Sequence, residues 1–215
     1  RPPRSTLFPY TTLFRSDRRT NGIENLNQCE VFSVRENQWL AETTVMPMPT
    51  ERSNMGIAVI GDEIFVIGGH NKDWNEPFLS NFEVLDTKKT TWTKLPPIPT
   101  GRCGMGVAAV IDDRFIWTFG GTLNMFQHGG ATDLIEIFDT KTNEWLTPSI
   151  KMRKHGTGIK AFSIEHTIFL FITTSETGWS NPQNIIEILD VDTMTWTKAF
   201  DSIEINRFWH SAITF

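Results

Sequence analysis

The sequence predicts an all-β fold in which one four-stranded antiparallel sheet is copied along the chain, and three observations predict it. Trp39, Trp92, Trp145 and Trp196 each stand nine residues after a glutamate, respectively Glu30, Glu83, Glu136 and Glu187. These Glu-to-Trp units recur every 53, 53 and 51 residues, the self-similarity at fixed period that marks a repeat architecture. Each copy also holds four short runs rich in β-branched and aromatic residues, set apart by turn-forming clusters. No segment sustains a 3.6-residue apolar period, so helices are not expected.

With the strands of each copy labelled a to d, the second copy is the clearest. Strand a lies within Arg52 to Ile60, strand b is Ile64 to Ile67 followed by Gly68-Gly69, strand c is Phe82 to Thr87, and strand d opens at Trp92 and runs to Pro96. The third copy gives Arg102 to Val110, Phe115 to Gly121, Ile135 to Thr140 and Trp145 to Pro148. The fourth gives Lys154 to Ile159, Ile168 to Thr174, Ile186 to Asp190 and Trp196 to Lys198. Two-residue turns join a to b at Gly61-Asp62, Asp112-Asp113 and Glu165-His166, which is hairpin spacing. The b-to-c links, 70–81, 122–134 and 175–185, are long, while the c-to-d turns are short and polar. Four-stranded sheets repeated radially bury each sheet face against the next, which is a β-propeller, and the recurrent tryptophan supplies large apolar area where strand d begins.

The glycine pair after strand b, the Glu-x-φ-Asp of strand c, the tryptophan seven residues after φ and the Pro-rich corner leading to an arginine resemble Kelch repeats, as a set, over residues 25–215. The fourth copy departs from the pattern, with Thr173-Thr174 for Gly-Gly and Lys154 for the arginine. Where the repeat usually carries tyrosine, this chain has Phe32, Leu85, Phe138 and Leu189. The resemblance implies an incomplete Kelch-type propeller: a partial blade of strands c and d over 17–51, complete blades over 52–100, 101–152 and 153–205, and the first strand of a further blade over 206–215. About 4–8 blades close a propeller, so an arc of this size is expected to be a piece of a longer protein with open sheet edges. Residues 1–16 fit no copy, and in one frame they translate a widely used short-read sequencing adapter. They are expected to be adapter-derived and non-native, and their basic, acid-free character is not read as a targeting peptide.

Composition narrows the function classes. The chain carries 20 lysines and arginines against 25 acids, and setting aside Arg1, Arg4 and Arg15 makes the balance more acidic still. An acidic chain without a basic run is a poor fit to nucleic acid or an anionic membrane, and no apolar stretch approaches the length of a bilayer span. Cys29 and Cys103 sit at non-equivalent repeat positions and no Asn-x-Ser/Thr sequon occurs, so a cytoplasmic, reducing setting is expected.

Chain direction places the long b-to-c loops and the d-to-a corners on one face, and long loops on a rigid scaffold favour binding residues. The resemblance to Kelch propellers of ubiquitin-ligase adaptors implies a central pocket lined by the residue after Gly-Gly and those after the strand-a arginine. Here these are His70, Thr122 and Ser175, with Ser53, Asn54, Cys103, Gly104, His155, Phe208 and Trp209. Pockets of this family that seize acidic peptides hold arginines there, and this set holds none. Arg52, Arg102, Lys154 and Arg207, repeated as often as Glu30, Glu83, Glu136 and Glu187, are expected to form paired structural charges between blades, since unpaired buried charge is costly. Loop aromatics Trp74, Phe78, Phe126 and Trp179 either anchor a partner or seal blade junctions. His70 and His128 without a third ligand make a poor metal site. No cofactor motif is found.

The expected function is therefore a non-catalytic module that presents its loop face to a protein partner, as a ubiquitin-ligase substrate receptor or a scaffold. The alternative is a Kelch-like propeller enzyme, an oxidase or a sugar epimerase. Oxidases of that kind use tyrosine ligands, and the single tyrosine here is Tyr10, within the first sixteen residues. An epimerase would use a convergent acid/base pair, for which Glu76, Glu176 and Asp133 are the candidates on the loop face.

Overall fold

The computed structural model describes residues 10–17, 24–41, 46–71, 77–110, 114–123, 130–174 and 183–200. Among these, every regular element is a strand. Three four-stranded antiparallel sheets follow one another, each a meander in chain order. The first consists of β4 (Gly56–Ile60), β5 (Glu63–Ile67), β6 (Phe82–Asp86) and β7 (Thr91–Leu95). The second consists of β8 (Gly106–Val110), β9 (Phe115–Phe119), β10 (Ile135–Asp139) and β11 (Glu144–Leu146). The third consists of β12 (Thr157–Ile164), β13 (Thr167–Thr174), β14 (Gln183–Asp190) and β15 (Thr195–Phe200). Ahead of them lies a three-stranded sheet of β1 (Tyr10–Asp17), β2 (Glu24–Ser33) and β3 (Gln38–Trp39). In it β1 pairs with β2, at the place where the other blades carry strand b.

Strand sequence follows position in the sheet. In β4 Gly56 and Ala58 are buried while Ile57 and Val59, which alternate with them, are exposed, the two-residue alternation of a strand with one covered face. The inner strands β6 and β10 are covered along nearly their whole length, and besides their apolar residues each carries a buried glutamate, Glu83 or Glu136, and ends on an aspartate, Asp86 or Asp139. Asp86, Asp139 and Asp190, which end strand c, each accept backbone N–H groups of the following turn, and a left-handed residue (Thr90, Asn143, Met194) leads into strand d. The aspartate of the repeated Glu-x-φ-Asp motif is thus the residue that shapes the turn.

The cores lie between sheets. Ala58, Phe65, Ile67, Phe82 and Val84 meet Met105, Val107, Ile116 and Phe138 across one junction. Trp117, Phe119, Ile135 and Ile137 meet Ile159, Ile168, Leu170, Ile172 and Leu189 across the next. Cys29, Val31 and Met48 meet Val66 and Leu85 across the first. β8 packs against both β4 and β12, so the opening strands of successive blades adjoin. The tryptophans stitch the outer side. Trp92, Trp145 and Trp196 donate their indole N–H to the carbonyls of Met46, Pro96 and Lys151, each just past strand d of the preceding sheet. Phe82, Phe138 and Trp145 form an aromatic triad across one junction, with centroids 4.8 to 5.4 Å apart.

Candidate functional site

The loop face is built where each strand b ends and each strand a is about to begin. Ser53 and His70 exchange two backbone hydrogen bonds of 3.0 Å, and Cys103 and Thr122 form the same bridge in the next blade. Neighbouring blades are joined at this level by backbone bonds: Gly69 N–H to the Arg102 carbonyl, Gly104 N–H to the Asn54 carbonyl, Gly121 N–H to the Gly156 carbonyl, and Ile159 N–H to the Gly104 carbonyl. The glycine pairs permit this approach. Gly69 and Gly121 have φ of 98° and 99°, and a Cβ on either would stand 2.6 or 2.7 Å from the carbonyl oxygen of Ser53 or Cys103.

Beneath this rim lie the repeated charges, and they close within a blade rather than between blades. Arg52, buried in the entry to β4, reaches Glu83 of β6 in its own sheet at 2.5 Å and also donates to the carbonyls of Gly68 and Asn81. Arg102 pairs with Glu136 and donates to the Gly120 and Thr100 carbonyls and the Thr118 hydroxyl. The guanidinium has five donors, and the ends of strands b and c supply acceptors at hydrogen-bonding distance from a corner residue, so the intrablade geometry satisfies the charge most completely.

The fourth copy is shifted relative to its sequence alignment. The carbonyl that meets Gly121 belongs to Gly156, the role Arg102 plays toward Gly69, so Gly156 and not Lys154 stands at the arginine position. A Cβ at Gly156 would collide with the Ile172 side chain, so no side chain fits at this corner without a shift. Glu187 is instead approached by Arg153, at 4.0 Å. With Thr173-Thr174 in place of the glycines, β12 and β13 pair over eight residues each, with an irregularity between Thr157 and Lys160.

The described rim residues expected from the sequence fall into three groups. Ser53, Asn54 and His70 converge: His70 Nε2 lies 2.7 Å from Ser53 Oγ and 3.3 Å from Asn54 Nδ2, and Nδ1 lies 2.6 Å from the Asn71 carbonyl. His70 is buried, packed beside Phe78, while Ser53 and Asn54 are partly exposed. Cys103, Gly104 and Thr122 converge in the next blade, all three buried, with the Cys103 thiol pushed up to about 12 by burial. His155 stands apart, exposed and 3.8 Å from Asp133. Ser175, Phe208 and Trp209 lie outside the described residues, as do Trp74, Glu76, Phe126, His128, Glu176 and Trp179.

Thr157 is the rim residue that the sequence alignment misses. Its hydroxyl accepts from Thr122 Oγ1 at 2.8 Å, across the junction between blades. Its signal is the glycine two residues after Lys154, hidden because a lysine looks like the natural replacement for arginine. Phe78, one of the loop aromatics, is buried beside the His70 ring. Among the described residues no cluster of three metal-ligating side chains occurs, and no helix is long and apolar enough to cross a membrane.

Radially joined four-stranded sheets, glycine pairs at each rim crossing and an Arg–Glu strut under each well-preserved corner define a Kelch-type propeller module. The family model of the KLHDC2/KLHL20/DRC7 Kelch-repeats domain matches residues 18–171, well over half of the chain, and the chain belongs to the Kelch-repeat family. Members of this family are generally non-catalytic protein-interaction propellers. The chain is also similar to acyl-CoA-binding domain-containing protein 4 of Arabidopsis thaliana, with 26% identity over 187 residues, covering 81% of this chain and 26% of that protein. The chain thus spans about a quarter of the length of that relative.

Proposed function

We propose that this chain is a non-catalytic recognition module whose b–c and d–a loop face takes a protein partner, within a cytoplasmic ubiquitin-ligase substrate receptor or a scaffold. One observation carries the reading. The backbone of the rim repeats from blade to blade, while the side chains on it do not: Ser53, Asn54 and His70 in one blade stand where Cys103, Gly104 and Thr122 stand in the next. A fixed frame with changing side chains suits recognition of an asymmetric partner. The rigid inter-blade bonds lower the ordering cost of binding. The printed name of the Arabidopsis relative speaks of acyl-CoA binding. Arg52 and Arg102, beneath the rim, are buried and paired with Glu83 and Glu136 and so do not offer cations to phosphates, which favours the protein partner.

Hydrogen–deuterium exchange of the chain with a captured partner tests the reading. Protection is expected at 53–54 and 122–123, with none at the c–d turns 87–90 and 140–143 on the opposite face. Protection confined to those turns would refute it.

A further inference from the structure

The polarity of the rim around Ser53 is set by one proton. His70 Nδ1 lies 2.6 Å from the Asn71 carbonyl oxygen, which only accepts, so Nδ1 carries the hydrogen. Burial opposes charging of the ring and holds His70 below the ordinary imidazole range, so Nε2 is a bare acceptor. Among the described residues, Ser53 Oγ and Asn54 Nδ2 face Nε2, and each then turns a donor toward it. The Ser53 hydroxyl hydrogen is committed inward, which leaves its lone pairs for the surface. Because the Asn54 amide nitrogen faces the ring, Oδ1 is directed away from it with both lone pairs. Both residues are partly exposed, so this stretch of rim offers acceptors.

The charges beside it have the same bias. Arg52, next to Ser53, is buried against Glu83, and Arg102 of the adjoining corner is buried against Glu136. The whole chain carries a net charge of −5.

We propose that the rim at Ser53 and Asn54 recognises a cationic, donor-rich segment of a protein partner, an extended peptide bearing arginine or lysine, through Ser53 Oγ and Asn54 Oδ1. The inference rests on the reading that this face binds proteins, and names the chemistry it selects. His70 acts as a positioning residue: it fixes which atoms of its two neighbours face outward.

Fluorescence anisotropy on the full chain tests it, with a fluorescein-labelled peptide of alternating arginine and glycine against the matching glutamate–glycine peptide. The arginine peptide is expected to bind at least about tenfold tighter and to weaken as salt rises. The Ser53→Ala/Asn54→Gly double variant is expected to lose about tenfold of that affinity and to melt at a lower temperature, still cooperatively, because the buried His70 Nε2 loses both donors. Glycine there keeps the left-handed backbone, φ 52°, that Asn54 adopts. Ser53→Thr, which keeps the hydroxyl, is expected to bind as the parent does. A preference for the glutamate peptide, lost in the double variant, would overturn the donor rule and leave the loop face as a binding surface. Arginine-peptide binding undiminished in the double variant, or no binding of either peptide, would overturn the assignment to Ser53 and Asn54. Exchange protection confined to the opposite face is the separate result that removes the underlying reading.

Discussion

Arg102 and Glu136 meet inside a single blade: the residue that leads into β8 closes on the carboxylate of β10, and Gly120, Thr100 and Thr118 take its other donors. Arg52 and Glu83 repeat the arrangement one blade earlier. The strut ties the entry of strand a to strand c of the same sheet. It also fixes the corner from which the rim side chains project. Removing one partner of such a buried pair strands a charge. Glu83→Gln is therefore expected to cost about 3–5 kcal/mol, whereas Arg52→Met/Glu83→Leu, which removes both, should cost much less. Urea unfolding of the three chains checks this, and equal losses in single and double variants would contradict it.

The glycine pairs answer a different need, and Gly121 shows it most directly. Its φ of 99° disfavours any side chain, and a Cβ added there would approach the Cys103 carbonyl oxygen to 2.7 Å. Gly121→Ala is expected to destabilise by more than about 1 kcal/mol. Gly61→Ala also places alanine at positive φ, but nothing lies within 4 Å of its Cβ, so it should cost less. Thermal melts of the two variants decide between strain from φ alone and strain from φ with a clash.

Acid stability follows from Asp139. The Arg114 guanidinium grips it through two bonds, Nε at 3.0 Å and Nη2 at 2.5 Å, and holds its carboxyl down to about 2. A carboxyl depressed in the folded state contributes stability above its unfolded value, about 3.9, and loses it as pH falls toward the folded value. Stability is therefore expected to fall between about pH 5 and pH 2. Arg114→Gln should be less stable at neutral pH and show a shallower acid limb; an unchanged limb would contradict the assignment.

Cys29 and Cys103 are buried, unpaired thiols pushed up to about 11 and about 12 by burial. The thiolate is the reactive form, so both should resist a disulfide reagent in the native chain and react when it is unfolded in guanidinium. Prompt native labelling of Cys103 would show that its corner opens.

Much of this is legible in the residues because it repeats. The Glu-to-Trp interval locates strands c and d, and the glycine pairs locate the rim. The pairing of charges is legible as a need, but not its partner. Sequence spacing cannot say whether Arg102 reaches Glu136 or a neighbouring blade; the satisfaction of five guanidinium donors decides that. The fourth corner aligns wrongly at Lys154 because residue type suggests one register while the packing of Gly156 against Ile172 imposes another. The burial of His70 under Ser53 and Asn54 depends on a loop whose course the strand pattern does not encode.

The joining of successive blades at the rim is tested most directly by native-state amide exchange at Gly69, Gly104 and Gly121, whose N–H groups are bonded across blade junctions. Protection at these three glycines comparable to that of Val84 and Ile137 in the central strands is the expected result. Exchange at the rate of free loops, with the central strands still protected, would show that each sheet stands alone and that the rim is not a single frame.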